Sequence, residues 1–402
     1  MLHNSGKYIL ITSANFPDGG PAASYLNLFC RGLKINNIDI QVYLLKGYAF
    51  GENRNMGPRK NITTDKIPYT YLGFRQRPEN TGLKLVDLIL SLLRLSILLL
   101  SLLRSHKKTT IVLYNSEFLF NLPILVIKKL TQIRLVKFSA EIIDRSQYKN
   151  TLTGRISRIS HKAGSRMLGK MPDKLIVFSY YLKDEFKTRG FQEKDILVQP
   201  NLTDFKFWHV DDLQEKFTIG YSGAPYMKDG LHDLLKAVSL LTEKGRMIKV
   251  VIIGDATFGV TLIPALRDEC IRLGLEDKVT FTGLVKTEEV KMYLSQCKIL
   301  AITRPDTIQT RSGFPTKLGE YFAMKKPILA TRFGDMEKYF EDRVDLVYAE
   351  CGNPESIMRK IEWIIDNQEK TKEIALRGFE TAKQLLDYRI GIEKILKFLN
   401  GM

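Results

Sequence analysis

Cysteine is scarce in this chain, and nothing in its placement gives it a task. Cys30, Cys270, Cys297 and Cys351 are the only four among 402 residues. They lie far apart, form no CxxC pair and have no neighbouring histidines, which excludes a disulfide scaffold and any recognisable zinc site and fits a reducing compartment. The five histidines are scattered, and no Gly-x-Ser-x-Gly elbow accompanies them, which argues against a hydrolase triad. No GxGxxG follows the first apolar run and no GxxxxGK[ST] loop exists, so the standard dinucleotide fingerprint and the P-loop are both missing. No Asp-x-Asp stands at a strand end, so the usual metal clamp for a nucleotide diphosphate is absent too, and no metal is expected. The only apolar run near the N-terminus, Tyr8–Ile11, is too short for a signal peptide. Tandem repeats and low-complexity tracts are lacking.

What is present is ordinary globular material with an uneven charge. Hydrophobic residues make up 44% and charged residues 26%, and at ~100–200 residues per domain the length suggests two or three domains. The net charge is +17. All of that excess lies in residues 1–200, which hold 31 Lys/Arg against 14 Asp/Glu, whereas residues 201–402 hold 30 of each. One half is thus suited to meet a polyanion, either nucleic acid or an anionic membrane surface.

Short apolar runs alternate with helical patterns almost throughout. Tyr8–Thr12, Ile40–Leu45, Thr110–Tyr114, Arg134–Phe138, Lys174–Phe178 and Ile196–Val198 read as strands, with helices between them. The alternation restarts after Pro200 with strands at Phe217–Tyr221, Lys249–Ile253, Val279–Thr282, Ile299–Ile302 and Ile328–Thr331. Such alternation implies α/β architecture, with two doubly wound parallel-sheet domains of nearly equal length. The expected division is 1–200, 201–385 and a final helix, 386–402, packing back toward the first domain, with a ligand cleft between lobes. Residues 46–80, rich in Gly, Pro, Asn and Arg, read as a long connection. The stretch Leu85–Leu103 has fourteen apolar residues in nineteen, with Asp87, Ser91, Arg94 and Ser101 drawing one narrow polar seam. A charge at the centre of a bilayer costs ~2.5–3.5 kcal/mol on insertion scales, so Asp87 and Arg94 argue against a span. A mostly buried helix or a helix lying in the membrane interface remain.

The second half carries the chemistry. Ile219-Gly-Tyr-Ser-Gly223 ends a strand, and Lys228-Asp-Gly230 opens a helix. A glycine there admits close backbone approach, and a lysine near a helix N-terminus adds full charge to the dipole, a combination suited to a diphosphate. Further on, Arg304-Pro-Asp306 leads to Arg311-Ser-Gly-Phe314-Pro315-Thr316-Lys317-Leu-Gly-Glu320-Tyr-Phe-Ala323 and then Lys326-Pro327. Pro315 in the first helical turn leaves the next amides for a phosphate. Glu320, more than a turn in, is placed to accept hydrogen bonds from two ribose hydroxyls, or simply to pair with Lys317.

The order Gly223…Lys228-Asp-Gly230, then Phe314-Pro-Thr-Lys-x-x-Glu320-Tyr-x-Ala, then Lys326-Pro, resembles the retaining family-four glycosyltransferases, whose architecture is the two-lobed GT-B. The likeness extends to Gly19-Gly20, to Gln199-Pro200-Asn201 and to the final helix. It implies a nucleotide-sugar co-substrate, a UDP-sugar by preference, held mainly by the second domain, with the acceptor mainly on the first and no other cofactor. Lys228 then matches the lysine on the donor diphosphate and Glu320 the glutamate on the ribose. Thr316 and Lys317 match the helix start near the phosphates, Gly19 and Gly20 the glycine loop facing the donor, and Leu284 and Val285 the segment framing the base. Two departures stand out: Ala224 replaces the arginine that commonly follows the strand glycine, and Ser312 replaces the earlier of two glutamates. Arg304 or Arg311 is a candidate for the missing charge.

Breaking a sugar–phosphate bond puts negative charge on the leaving diphosphate, and without a metal, cations and helix amides must stabilise it. Lys228 is the first candidate for that catalytic role, assisted by Arg304. Glu141, at the end of a first-domain strand, either positions acceptor or donor sugar or pairs with Arg145. Arg155, Arg158, Lys162, Arg166 and Lys170 form one cationic stripe on a helix whose Ile156, Ile159, Ala163 and Met167 lie beside it. At ~1 kcal/mol per cation near an anionic bilayer, five suffice for reversible attachment. Nucleic-acid binding would want aromatics among those cations, and the stripe has none. The expectation is a peripheral enzyme on the cytoplasmic face of the membrane. It would move a sugar with retention onto a saccharide or lipid-linked saccharide, for surface polysaccharide or glycolipid assembly. An inactive saccharide-binding homologue and a GT-B nucleotide-sugar epimerase are the alternatives, and the oligomeric state stays open.

Overall fold

The computed structural model describes residues 6–48, 58–103, 109–114, 117–142, 152–168, 171–210, 214–256 and 261–401. The chain forms two compact units, the first Met1–Ala140, Arg145–Gln199 and Gly391–Met402, the second Glu141–Asp144 and Pro200–Ile390. Glu141 thus belongs with the second unit, although the strand before it belongs to the first.

The first unit is built on one sheet of β1 (Lys7–Thr12), β2 (Ile40–Leu44), β3 (Lys60–Ile62), β4 (Pro68–Tyr71), β5 (Thr109–Tyr114), β6 (Arg134–Ser139), β7 (Lys174–Val177) and β8 (Ile196–Val198). Their order is β3-β4-β2-β1-β5-β6-β7-β8. All neighbours pair in parallel except β3, which runs antiparallel to β4 with Asn61 opposite Tyr69. This corrects the reading of residues 46–80 as a connection. Strands β3 and β4 lie within it, and their three- and four-residue lengths give too little alternation to stand out from a Pro- and Gly-rich background. The helices are α1 (Pro21–Ile35), α2 (Thr81–Leu103), α3 (Phe118–Leu130), α4 (Leu152–Leu168) and α5 (Tyr180–Thr188). Pro21 starts α1 where a missing amide costs nothing. Ile9 and Ile11 of β1, Ile111 and Leu113 of β5, Leu95 and Leu99 of α2 and Phe120 of α3 share one buried core.

Helix α2 departs from the mostly buried helix that was one of its two expected states. Only Asp87, Ser91, Leu95, Leu99 and Leu102 are buried among its 23 residues. The polar seam faces inward and the apolar surface outward. Asp87 Oδ1 accepts from the Phe74 amide at 2.5 Å, and Arg94 Nη1 donates to Leu72 O at 2.7 Å. Ser101, the last member of the seam, is exposed and donates to Leu98 O. A Cβ on Gly73 would collide with Asp87 Oδ1 and Ser91 Oγ, so only glycine lets the β4 turn sit against the helix.

The second unit has β9 (Phe217–Ser222), β10 (Val250–Ile253), β11 (Val279–Phe281), β12 (Cys297–Ile302), β13 (Ile328–Thr331) and β14 (Val347–Ala349). They form a six-stranded sheet, β11-β10-β9-β12-β13-β14, with every pair parallel. The order reverses between β9 and β12, and that switch point is where such sheets open a crevice at their carboxyl ends. The helices are α6 (Phe205–Trp208), α7 (Leu231–Glu243), α8 (Ile263–Arg272), α9 (Thr287–Ser295), α10 (Ile308–Ser312), α11 (Thr316–Ala323), α12 (Pro354–Asp366), α13 (Gln368–Leu386) and α14 (Tyr388–Asn400). From Gly391 onward α14 belongs to the first unit, where Leu399 O accepts a hydrogen bond from Arg134.

Substituting Gly73→Ala forces the Asp87–Phe74 hydrogen bond apart. Overpacking of this kind costs roughly 1–3 kcal/mol, to be read as a lower urea midpoint with the folded baseline unchanged; an unchanged midpoint would show that the turn has room to move.

Candidate functional site

The residues of the second-half motifs converge at the carboxyl ends of β9 and β12, on both sides of the switch point. Gly223 follows β9 with φ of 124°, and its amide donates to Ile253 O, which carries the β9–β10 ladder one bond further. Residues Met227–Asp229 form a short 3-10 turn, and Gly230 is the left-handed N-cap of α7 with φ of 64°. Lys228 therefore stands in the turn before the helix and not in its first turn. A Cβ at Gly230 would run into Thr303 O, so the close approach of the α7 start to the end of β12 needs a residue without a side chain. Thr303 Oγ1 completes the joint by donating to Gly230 O at 3.0 Å.

At the centre is a residue the sequence reading passed over, Asp229. It is 2% exposed, and its Oδ1 accepts from Arg304 Nε and Nη2 at 3.3 Å each and from Lys317 Nζ at 3.1 Å. Burial alone would push this carboxyl up. Lys317, Arg304 and Lys228 outweigh it and hold the pKa at about 2. The Lys317 ammonium also lies 3.8 Å from the centre of the Tyr221 ring. Its own pKa falls to about 8 because burial, reinforced by Arg304, outweighs the attraction of Asp229. The sequence signal for Asp229 was an acid wedged between Lys228 and Gly230. Its partners lie 75 and 88 positions away, beyond the reach of any local pattern.

Lys228 is directed differently. Its Nζ meets Glu141 Oε2 at 3.2 Å, with its side chain 20% exposed. Glu141 sits against Gly313, and the next amide, Ile142, donates to Ser312 Oγ at 2.9 Å. Ser312, which replaces the expected glutamate, is thus buried and tethers the Glu141 segment. Arg145, the other partner considered for Glu141, lies outside the described residues. Of the two arginines proposed to replace the charge lost at Ala224, Arg304 joins the cluster. Arg311 instead makes a two-pronged pair with Asp306 at 2.8 and 2.6 Å and is half exposed.

Helix α11 begins at Thr316, and Pro315 is its N-cap, one position earlier than expected. Phe314 before it is buried, and its carbonyl accepts from Asn201 Nδ2. The first-turn amides of α11 carry the positive end of the helix dipole beside the Lys317–Asp229–Arg304 cluster. Glu320, one turn later, is pushed up to about 7 by burial, against the pull of Lys317. Leu284 and Val285 lie past β11, two strands away from β9. Leu284 is 65% exposed, and Gly283 before it accepts from the Gly254 amide at 3.0 Å. Gly19 and Gly20 close β1 in the first unit with φ of 109° and 114°. A side chain at Gly19 would press on Asn15 and Tyr48, whereas one at Gly20 would meet open space. On α4, Arg155, Lys162 and Arg166 are exposed and Arg158 is half-buried; Lys170 lies outside the described residues. Among the described residues no group of three His, Cys, Asp or Glu stands ready for a metal ion.

Comparison with known proteins bears on the fold and the family. Residues 204–381 match the family Glycosyl transferases group 1. An uncharacterized glycosyltransferase of Methanocaldococcus jannaschii is 22% identical over 231 residues, covering 57% of this chain and 60% of that protein, so the match spans less than two thirds of the relative. Among solved structures, Anabaena HepE in complex with UDP superposes with a TM-score of 0.73 at 16% identity, over 98% of this chain and 100% of that one. Sucrose-phosphate synthase from Thermosynechococcus elongatus gives 0.76 at 12% identity, over 98% of both chains. A mutant of S. aureus TarM in complex with fondaparinux, alpha-GlcNAc-glycerol and UDP gives 0.67 at 11% identity, over 98% of this chain and 100% of that one.

Two pH dependences follow from the site. Glu320 keeps a proton in the folded state that the unfolded chain gives up above about pH 4.5, so stability falls as pH rises toward 7, by on the order of 3 kcal/mol. Urea midpoints measured across that range should slope downward for the wild type and stay level for Glu320→Gln. Asp229 has the opposite sign, since its depressed pKa contributes stability that is full above about pH 4 and lost as pH falls toward 2. Asp229→Asn should cost about 3–5 kcal/mol at neutral pH, because Arg304 and Lys317 keep their burial and lose their counter-charge. A variant as stable as the wild type would show that water reaches both cations. Residues 204–381 thus match the glycosyl transferases group 1 family, within a chain whose two parallel-sheet units have the GT-B fold.

Proposed function

We propose that this chain is a retaining, metal-independent glycosyltransferase that moves a sugar from a nucleotide-sugar, UDP-linked by preference, onto a saccharide acceptor, free or lipid-linked. The observation that carries this reading is the cation cluster at the switch point, where Arg304 and Lys317 are locked by Asp229 and Lys228 stands beside them, paired with Glu141. Fixed positive charge next to a helix start suits a leaving diphosphate. The reading is further supported by HepE, whose solved complexes include UDP and UDP-glucose. The cellular setting we propose is assembly of a surface polysaccharide or glycolipid at the cytoplasmic face of the membrane.

The reaction breaks the bond from the anomeric carbon to the diphosphate oxygen and forms a bond from the acceptor oxygen to the same carbon. The acceptor proton passes to the departing phosphate oxygen, so no protein base is needed. Lys228 exchanges Glu141 for the diphosphate, and the α11 amides at Thr316 and Lys317 take the remaining charge. Released from Lys228, Glu141 is positioned to hold a sugar hydroxyl. Glu320 accepts from the ribose, a task that its ionised form does best. Donor binding in this role therefore draws its pKa down from about 7 and releases a proton near neutral pH.

Calorimetry with UDP, GDP and ADP in the presence of a chelator tests the donor site. One nucleotide should bind, more weakly to Glu320→Ala. Lys228→Ala should lower turnover by about 10²–10³, the range for removing one preorganised donor. Binding of none of the three would sink the reading, and binding without turnover on any saccharide would favour an inactive homologue.

A further inference from the structure

The first unit carries a surface that includes none of the residues of the Asp229 cluster. Helix α2 packs on α3, and α3 on α4, so the three lie side by side over the sheet. Their outer faces are aliphatic. Leu93 and Ile97 of α2, Val126 and Leu130 of α3, and Ile156 and Ile159 of α4 are all more than half exposed. Soluble proteins rarely leave a contiguous apolar face of this extent uncovered. Helix α2 is the one helix among the described residues long and apolar enough to cross a membrane. Its geometry is nevertheless that of a domain element, because Asp87 and Arg94 hold the β4 turn and Leu95 and Leu99 enter the sheet core.

Charge tells what covers the face. The three helices contain a single acid, Asp87, and it is buried. Their exposed charges are all positive: Lys84 on α2, Lys129 on α3, and Arg155, Lys162 and Arg166 on α4. A second copy of this chain would press cations against cations with no counter-charge between them. A bilayer with anionic headgroups offers hydrocarbon to the aliphatic side chains and phosphates to the cations at the rim.

We infer that α2, α3 and α4 together form a membrane-docking face, which inserts its aliphatic side chains among the acyl chains of an anionic leaflet while the α4 cations hold lipid phosphates. Attachment is then hydrophobic as well as electrostatic, and salt alone does not reverse it. The inference is independent of the proposed transferase activity, since every residue it uses lies in the first unit.

The test is flotation of the full chain with phosphatidylcholine vesicles, with and without phosphatidylglycerol, at low and high salt. The wild type should float with the anionic vesicles and remain partly bound at high salt. The triple variant Leu93→Glu, Ile97→Glu and Val126→Glu, altered only at exposed positions, should bind at least about tenfold more weakly. The pair Lys162→Ala and Arg166→Ala should lose about fivefold per cation at low salt and much less at high salt. Urea midpoints and nucleotide binding serve as controls for the two units. Flotation of the triple variant as well as the wild type, complete release by salt, or a wild type that ignores vesicles and instead dimerises through this face in sedimentation would each overturn the inference. Loss of vesicle binding with nucleotide binding intact separates this face from the donor site.

Discussion

The second unit depends on one buried carboxylate. Two cations placed at the end of a parallel sheet would repel each other and resist leaving water, and Asp229 makes their burial tolerable by accepting from both through a single oxygen. Much of the neighbourhood follows from it. The turn before α7 must bring Asp229 under the sheet end, which requires glycine at 230 because Thr303 O occupies the space where a Cβ would stand. Lys317 must enter from the first turn of α11, which sets where that helix starts. Tyr221 fills the remaining side with its ring face toward the ammonium and its hydroxyl donating to Ala224 O.

In the proposed function Arg304 is the residue placed to stand in for an arginine at position 224. It follows β12, on the other side of the switch point from β9, and reaches the Asp229 carboxylate from there. Arg311, equal to it in charge and only seven positions on, is held by Asp306. What separates the two is topology: residue 304 follows β12 directly, next to β9, and residue 311 lies on a short helix beyond it.

Parallel strands buried on both faces announce themselves as apolar runs, so the two-sheet architecture was legible from sequence to within a residue or two at most elements. Strands β3 and β4 were not, because Lys60-Asn-Ile62 and Pro68-Tyr-Thr-Tyr71 are not apolar runs, and the three-residue β14 at Val347–Ala349 was not recognised either. The motif residues Lys228, Arg304, Lys317 and Glu320 were also legible, since glycine, proline and charge stand at fixed spacing around them. Their pairing was hidden. Nothing in a linear chain says that Asp229 takes two cations from distant segments, or that Glu141, which follows a strand of the first unit, is grouped with the second. The seam on α2 was visible but its direction was not. Periodicity reveals that a helix has two faces, and only the location of the β4 turn decides that the polar one points inward.

That inward seam gives α2 two unlike ends. Up to Arg94 it is fastened by hydrogen bonds to backbone groups of the β4 turn, and from Leu95 onward by leucines inserted in the core. Hydrocarbon, from a detergent or a lipid, competes with leucine contacts and offers nothing to a carboxylate or a guanidinium. In an apolar solvent the stretch from Leu95 onward would loosen first, pivoting on a polar hinge that the same solvent strengthens.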